Sequence, residues 1–278
     1  MIENKSFDEE RALYNLTDET VKGCVFGGPA DGESAFKEAR NIKVFDTLFE
    51  LRYPLWHVQT MELDNITMVE TCRAALWYTV DGVIRNSSLG GIKALRECKN
   101  IKLEDCTVKS PEFGWKSSDI SMERTSVESE YLFLDSSNIS LKDVKMKGKY
   151  SFQYVKNLKI EDSNLDTKDA FWHAENVTVV NSTIKGEYLG WFSKNLTLID
   201  CHIEGTQPLC YCDNLVLKNC TMENCDLAFE YSQVDADVKG YVDSVKNPRS
   251  GRIVLDSVGE IIRDNPVMEC TGEVICRE

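Results

Sequence analysis

The chain has 278 residues, of which 42% are hydrophobic and 28% charged, and this balance excludes a disordered protein. Its net charge of -14 repels phosphodiester backbones and anionic lipids, so we expect neither nucleic acids nor membranes as partners. No apolar run is long enough to cross a bilayer, and the acidic start lacks the apolar core of a secretory signal, so we expect a cytoplasmic protein.

Residues 1–20 are predicted to form an N-terminal cap, and a repeated phrase follows. Each copy has a polar anchor, apolar residues at offsets +1, +3 and +8 from that anchor, mostly Asp or Asn at +5, and usually a small residue at +6. Successive anchors are 19 residues apart, except for one interval of 21 residues between Thr60 and Asp81. The anchors are Asn41, Thr60, Asp81, Asn100, Asp119, Asn138, Asn157, Asn176, Asn195 and Asn214.

A repeat of this length cannot hold a helix, a strand and two turns, but three short strands fit. Leucine-rich repeats and left-handed hexapeptide helices match its length and corner residues less well. The sequence therefore predicts an all-β fold, a single-stranded, right-handed parallel β-helix (solenoid) with 19 residues and three short strands in most coils.

The polar rows at the anchor and at +5 are interpreted as structural, because stacked Asn and Asp side chains can hydrogen-bond from coil to coil. The +6 row contains Cys106, Cys201 and Cys220, which we expect to be buried thiols. Cys201 and Cys220 lie one coil apart, and the sequence leaves open whether they are bridged. No metal site and no cofactor are predicted.

The third strand, at offsets +12 to +16, is rich in aromatic residues. We expect +12, +14 and +16 to face outward, because +12 and +16 hold the ionisable groups; the opposite parity would expose the tryptophans instead. Either way an aromatic face points to solvent, and such faces usually contact something. The predicted ligand-binding residues are Tyr150, Phe152, Tyr154, Phe171, Trp172, Tyr188, Trp191 and Tyr211.

Ionisable side chains on this face are weak candidates for catalysis: Asp169, His173, Glu187, Asp226 and Glu230. Asp169 and Asp226 are three coils apart, about 14 Å at the usual strand spacing. Glycosidase carboxyl pairs are about 5–10 Å apart, so these two do not form such a pair. The sequence does not decide whether the protein is an enzyme.

Regular coils are predicted over residues 21–231, and irregular C-terminal coils and a cap over 232–278, where the spacing changes. Terminal units of a solenoid are expected to be atypical, because they close an open end of the stack. We therefore expect residues 1–278 to form a single β-solenoid domain.

Several stretches along the chain carry a family resemblance: GESAFKEARNI, RYPLWH, RAALWYT, DAFWHAENVTV, GEYLGWFSKNLT, QPLCY, LAFEYS and KNPRSG. With them the chain resembles a bacterial domain-of-unknown-function family of short right-handed parallel β-helix (pectin-lyase-like) proteins. The family usually has Asn where this chain has His173. The resemblance implies the fold over nearly the whole chain, and it implies no established activity or catalytic residues.

Two hypotheses follow for the aromatic face centred on residues 150–230. In the first, it binds or processes a carbohydrate or glycoconjugate, with sugar rings stacked on Tyr and Phe. In the alternative, the protein is a non-enzymatic scaffold whose same face docks a protein, and a second copy of the chain in a homo-oligomer is the expected partner.

Overall fold

The computed structural model describes residues 1–278 and contains strands and turns but no helix. It therefore has no helix long and apolar enough to cross a membrane. Two compact units can be distinguished, Met1–Ser140 and Leu141–Glu278. Each unit is a parallel β-solenoid, which confirms the predicted fold class.

The strands are short, and most coils contribute a longer one followed by a shorter one. The first unit contains β1 (Ile2–Glu3), β2 (Ser6–Phe7), β3 (Thr20–Lys22), β4 (Val25–Phe26), β5 (Arg40–Phe45), β6 (Leu48–Phe49), β7 (Gln59–Asp64), β8 (Thr67–Met68), β9 (Leu76–Trp77), β10 (Val80–Arg85), β11 (Ser88–Gly90), β12 (Leu95–Arg96), β13 (Lys99–Glu104), β14 (Thr107–Lys109) and β15 (Ser118–Glu130). Strand β16 (Ser137–Lys149) includes residues of both units.

The second unit continues with a similar alternation and ends in five strands after residue 232. Its strands are β17 (Lys156–Glu161), β18 (Asn164–Lys168), β19 (Glu175–Val180), β20 (Thr183–Lys185), β21 (Lys194–Ile199), β22 (His202–Glu204), β23 (Leu215–Glu223), β24 (Gln233–Lys239), β25 (Tyr241–Lys246), β26 (Ser250–Leu255), β27 (Ser257–Ile262) and β28 (Glu273–Cys276).

The strands of neighbouring coils are parallel and in the predicted register. In the first unit, Ile101 of β13 lies opposite Ile120 of β15. In the second unit, Val177 of β19 lies opposite Leu158 of β17 and Leu196 of β21. All five side chains are buried, as the apolar row at +1 predicts. Residues 19 positions apart are therefore spatial neighbours.

The corners at the anchor and at +5 explain the Asn and Asp rows. Asn176, Asn195 and Asn214 have left-handed φ of 54–57°, a conformation that Asn and Asp tolerate better than most residues. The Asn195 amide donates to Asn176 Oδ1 at 2.8 Å, and Asn214 donates to Asn195 in the same way. At +5, the Asn181 amide donates to Asp162 Oδ1 at 2.7 Å. Both rows are the structural ladders that the sequence predicts.

The third segment stacks from coil to coil, but its backbone is not that of a regular strand. Asp169, Phe171 and His173, at +12, +14 and +16, have left-handed φ of 52°, 63° and 54°. Their side chains therefore do not alternate between the two faces. In this coil Ala170 and Phe171 are buried, Trp172 is half-buried and His173 is exposed. In this coil the predicted outward orientation is wrong for +12 and +14 and correct for +16, because the period-two rule applies to extended strands.

All eleven cysteines are free thiols, and nine of them are buried. Cys106, Cys201 and Cys220 of the +6 row point into the core, as predicted, and Cys201 and Cys220 are not bridged. Burial raises the pKa of the Cys98 thiol to about 12, so that thiol stays protonated at neutral pH.

Candidate functional site

Two of the predicted ligand-binding residues belong to the core. Phe152 and Phe171 are 0% and 1% exposed and stack on each other with ring centroids 5.2 Å apart. The prediction that they contact a ligand is therefore wrong. Their position follows from the left-handed backbone at +14, which turns the side chain inward.

A continuous row of stacked rings, exposed except for the half-buried Tyr211, occupies offset +16 in the second unit. It consists of Tyr154, His173, Phe192 and Tyr211, and we call these four side chains the aromatic strip. Successive ring centroids are 5.0, 5.0 and 4.8 Å apart, and the rings are within 7–16° of parallel. Tyr154 is 50% exposed and Phe192 39%. The strip is an outward aromatic face, as predicted, although only +16 of the three predicted offsets contributes to it.

Trp172 and Trp191 support the strip from offset +15. Their rings stack at 5.4 Å and are within 5° of parallel, which fixes the register between these coils. The Trp172 indole N–H donates to the Tyr188 carbonyl at 2.7 Å, and that of Trp191 donates to the Gln207 carbonyl at 2.8 Å. Because both indole N–H groups are used within the protein, these tryptophans offer a ligand apolar surface only.

Polar side chains border the strip two and three residues further along the chain. Lys156 and Glu175 form an ion pair at 3.8 Å, and Asp213 pairs with Arg249. The Asn ladder of residues 157, 176, 195 and 214 runs next to this charged row. Each amide in the ladder keeps hydrogen-bonding capacity beyond its bond to the next coil. An apolar strip thus lies beside a regular array of donors and acceptors.

The candidate acids do not converge on the strip. Asp169 is 8% exposed, and this burial raises its carboxyl pKa. The charge of Lys168 lowers the pKa by less than burial raises it, and the Glu187 carboxylate raises it further. Glu230 is held by Lys246 at 2.9 Å. Glu187 and Asp226 are exposed, and Tyr150 and Tyr188 are half-buried. His173 is the only one of the five catalytic candidates that belongs to the strip.

The same offset carries a different cluster in the first unit. We call Glu38, His57, Tyr78 and Glu97 the His57 cluster. His57 Nδ1 lies 3.1 Å from Glu38 Oε1, and its ring meets the Tyr78 ring edge-on at 5.1 Å. The Glu97 carboxylate raises the pKa of the Tyr78 phenol. Our candidate residues did not include this cluster. A signal for it was present in the sequence, because His57 and Tyr78 share the same offset once the two extra residues of the 21-residue coil are allowed for.

Trp56 and Trp77 lie beside the His57 cluster and stack at 5.4 Å. Lys37 lies 4.0 Å from the Trp56 ring centroid and Arg96 5.1 Å from that of Trp77, so a cation covers each of the two rings. Both indole N–H groups are buried without a hydrogen-bond partner, unlike those of Trp172 and Trp191. In neither unit are three or more His, Cys, Asp or Glu side chains grouped so that they could hold a metal ion.

Several solved structures are similar to the chain at low identity. They include a double mutant of the tailspike protein of E. coli bacteriophage HK620 (9% identity, TM-score 0.43, covering 94% of this chain and 60% of that one). PfbA, a surface adhesin of Streptococcus pneumoniae, has 8% identity, a TM-score of 0.38 and coverage of 84% and 85%. The A-module of Azotobacter vinelandii mannuronan C-5 epimerase AlgE6 has 10% identity, a TM-score of 0.34 and coverage of 99% and 89%.

The chain thus spans 60% of the length of the tailspike chain. Identities of 8–10% with TM-scores below 0.5 indicate nothing about the ligand of this chain. No protein among the curated ones matches the sequence. A family model described as a protein of unknown function (DUF3737) matches residues 1–275, and the chain belongs to that family.

Proposed function

We propose that the second unit binds a carbohydrate along its aromatic strip. The observation that carries the proposal is the strip itself, four stacked rings at 4.8–5.0 Å with up to half of a side chain exposed. Exposed apolar surface of this extent usually marks a contact site. The strip is part of a rigid ladder of coils, so a ligand meets a preformed surface.

The border of the strip favours a carbohydrate over an apolar ligand. A sugar has apolar C–H faces and hydroxyl groups around its rim, so it needs ring surface and hydrogen-bonding groups side by side. Ring surface comes from Tyr154 and Phe192, and the amides of Asn176 and Asn195 lie three residues after His173 and Phe192. Because the rings repeat along several coils, the strip fits an oligosaccharide chain better than a single sugar.

The proposal is for binding without bond cleavage. Of the acidic candidates, Asp169 is largely buried and Glu230 is engaged by Lys246. A glycosidase needs two carboxyl groups about 5–10 Å apart on either side of the bond to be broken. The two acidic side chains that border the strip, Glu175 and Asp213, are paired with Lys156 and Arg249.

A glycan array followed by calorimetry tests the proposal. The native chain should bind a subset of oligosaccharides, and a Tyr154→Ala, Phe192→Ala double variant should lose at least tenfold in affinity. A loss of tenfold corresponds to about 1.4 kcal/mol. The matched control is Tyr14→Ala, which removes a ring that is 55% exposed in the first unit and should leave affinity unchanged. Equal affinity of the double variant and the native chain would contradict the proposal.

The exposure of Tyr154 and Phe192 also suits the second candidate, a symmetric contact between two copies. Sedimentation of the native chain and of the double variant separates the two candidates. A dimer that the double variant abolishes, together with no glycan binding, favours self-association. A native monomer that binds glycans favours the carbohydrate proposal.

A further inference from the structure

A second surface site is present in the first unit. A cavity of about 430 Å³ is lined by His57, Gln59, Tyr78 and Val80. These residues come from two neighbouring coils, because Gln59 of β7 lies opposite Val80 of β10. Its volume is within the range of small-molecule sites, about 300–1,000 Å³.

The Glu38 carboxylate orients the imidazole of His57. With Glu38 Oε1 at 3.1 Å from Nδ1, the neutral ring carries its proton on Nδ1 and donates it to the carboxylate. Nε2 has no hydrogen-bond partner within the protein and therefore carries a lone pair that can accept.

The opposite wall is the ring of Tyr78. The Glu97 carboxylate raises the pKa of its phenol, so the hydroxyl keeps its proton at neutral pH. The edge-on contact with His57 holds the two rings in a corner. Tyr78 and Val80 thus supply apolar walls, and the polar groups that face the cavity are His57 Nε2 and the Gln59 amide.

Charge limits the class of ligand. None of the four lining side chains is ionised when His57 is neutral, and the two nearest carboxylates are engaged, Glu38 by His57 and Glu97 by Arg96. A neutral ligand therefore leaves no charge unpaired in the site, and a cationic one would find no unengaged carboxylate. We propose that the cavity binds a small neutral molecule with an apolar ring and a hydroxyl group, the hydroxyl donating to His57 Nε2 and the Gln59 amide contacting its oxygen.

This site does not depend on carbohydrate binding by the strip, and its test uses other probes. Benzyl alcohol and toluene have the same ring and differ in the hydroxyl group. Each is titrated into the full chain at millimolar concentration, and the amide signals of Gln59 and Val80 are followed by NMR. Benzyl alcohol should bind about fivefold more tightly than toluene, as expected from one hydrogen bond of about 1 kcal/mol.

Two variants locate the hydrogen bond. His57→Phe keeps an aromatic wall and removes the acceptor, so benzyl alcohol and toluene should bind it equally. Gln59→Leu should weaken benzyl alcohol about twofold or more while leaving toluene binding unchanged. His202→Phe is the control, because His202 lies in the second unit beside Thr221 and should have no effect. Toluene binding as tightly as benzyl alcohol, or no shift at Gln59 and Val80, would overturn the proposal whatever the glycan experiments show.

Discussion

The +16 row carries different side chains in the two units. In the first unit, the rings of His57 and Tyr78 lie between Glu38 and Glu97, and His57 Nδ1 is 3.1 Å from Glu38 Oε1. In the second unit, four rings follow one another from Tyr154 to Tyr211 without a carboxylate between them. The same backbone position thus carries a short polar cluster in one unit and a longer strip of aromatic rings in the other.

The comparison separates what the backbone determines from what the side chains determine. Left-handed φ at +16, 59° at His57 and 54° at His173, brings the side chain to the surface in both units. Whether the row then forms a run of stacked rings or a polar cluster depends on the side chains one coil away. Backbone geometry therefore creates the row, and substitution along it can change its chemistry without altering the fold.

The largest expected change in the free energy of unfolding comes from Phe171, which is buried two residues before His173 of the strip. Phe171→Ala should lower the free energy of unfolding by about 3–5 kcal/mol, because it opens a cavity in a packed core. Phe192→Ala removes the same ring from the exposed strip and should cost about 1 kcal/mol or less. Chemical unfolding of both variants measures the contrast. Similar losses in the two would refute the assignment of +14 to the core and +16 to the surface.

An intermediate effect is expected at the tryptophans, whose indole groups differ between the units. Trp172→Phe leaves the Tyr188 carbonyl without its donor, whereas Trp77→Phe removes an N–H that had no partner. Trp172→Phe should therefore cost about 1–2 kcal/mol more than Trp77→Phe.

Both of these tryptophans stack on another at 5.4 Å, so they are well matched. Thermal and chemical unfolding of the two variants supply the measurement. A larger loss for Trp77→Phe would mean that the hydrogen bond to Tyr188 does not stabilise the second unit.

The smallest expected change in the free energy of unfolding concerns Asp169, at offset +12. Burial raises its carboxyl pKa, so the folded state holds the proton more tightly than the unfolded chain does. The resulting destabilisation is absent below the unfolded carboxyl pKa, about 3.9, and grows as the pH rises through that value to the folded pKa. Asp169→Asn should therefore raise the free energy of unfolding at pH 7 by about 1 kcal/mol or less.

Unfolding in urea at pH 7 and near pH 4 checks this prediction, since the gain should shrink at the lower pH. Asp226→Asn is the control, because Asp226 is exposed. A gain that is the same at both pH values would show that the charge of Asp169 is not its cause.

The coil length and register could be predicted because buried Ile, Leu and Val alternate with polar residues in the first strand of each coil. The placement of Ile101 opposite Ile120 follows from that pattern alone. The Asn ladder was predictable for a similar reason, since Asn is one of the few residues that both tolerates left-handed φ and hydrogen-bonds along a stack.

The third segment could not be predicted in the same way, because Tyr and Phe rarely adopt left-handed φ. A weak signal was present at +14, where two coils have Gly114 and Gly190 with φ of 80° and 75°. Glycine in a row otherwise filled by large side chains indicates an unusual backbone. The cavity at His57 escaped prediction because it needs contacts across a coil with two extra residues.

Because most coils have the same length, the aromatic strip can gain or lose whole coils. Deleting or duplicating one complete 19-residue segment, such as 176–194, joins a coil to an equivalent coil and leaves the register intact. The change would remove or add one ring, about 4.8 Å of strip. The length of the aromatic strip is thus set by the number of coils, and recombination between repeats could lengthen or shorten it by whole coils while each coil keeps its own packing.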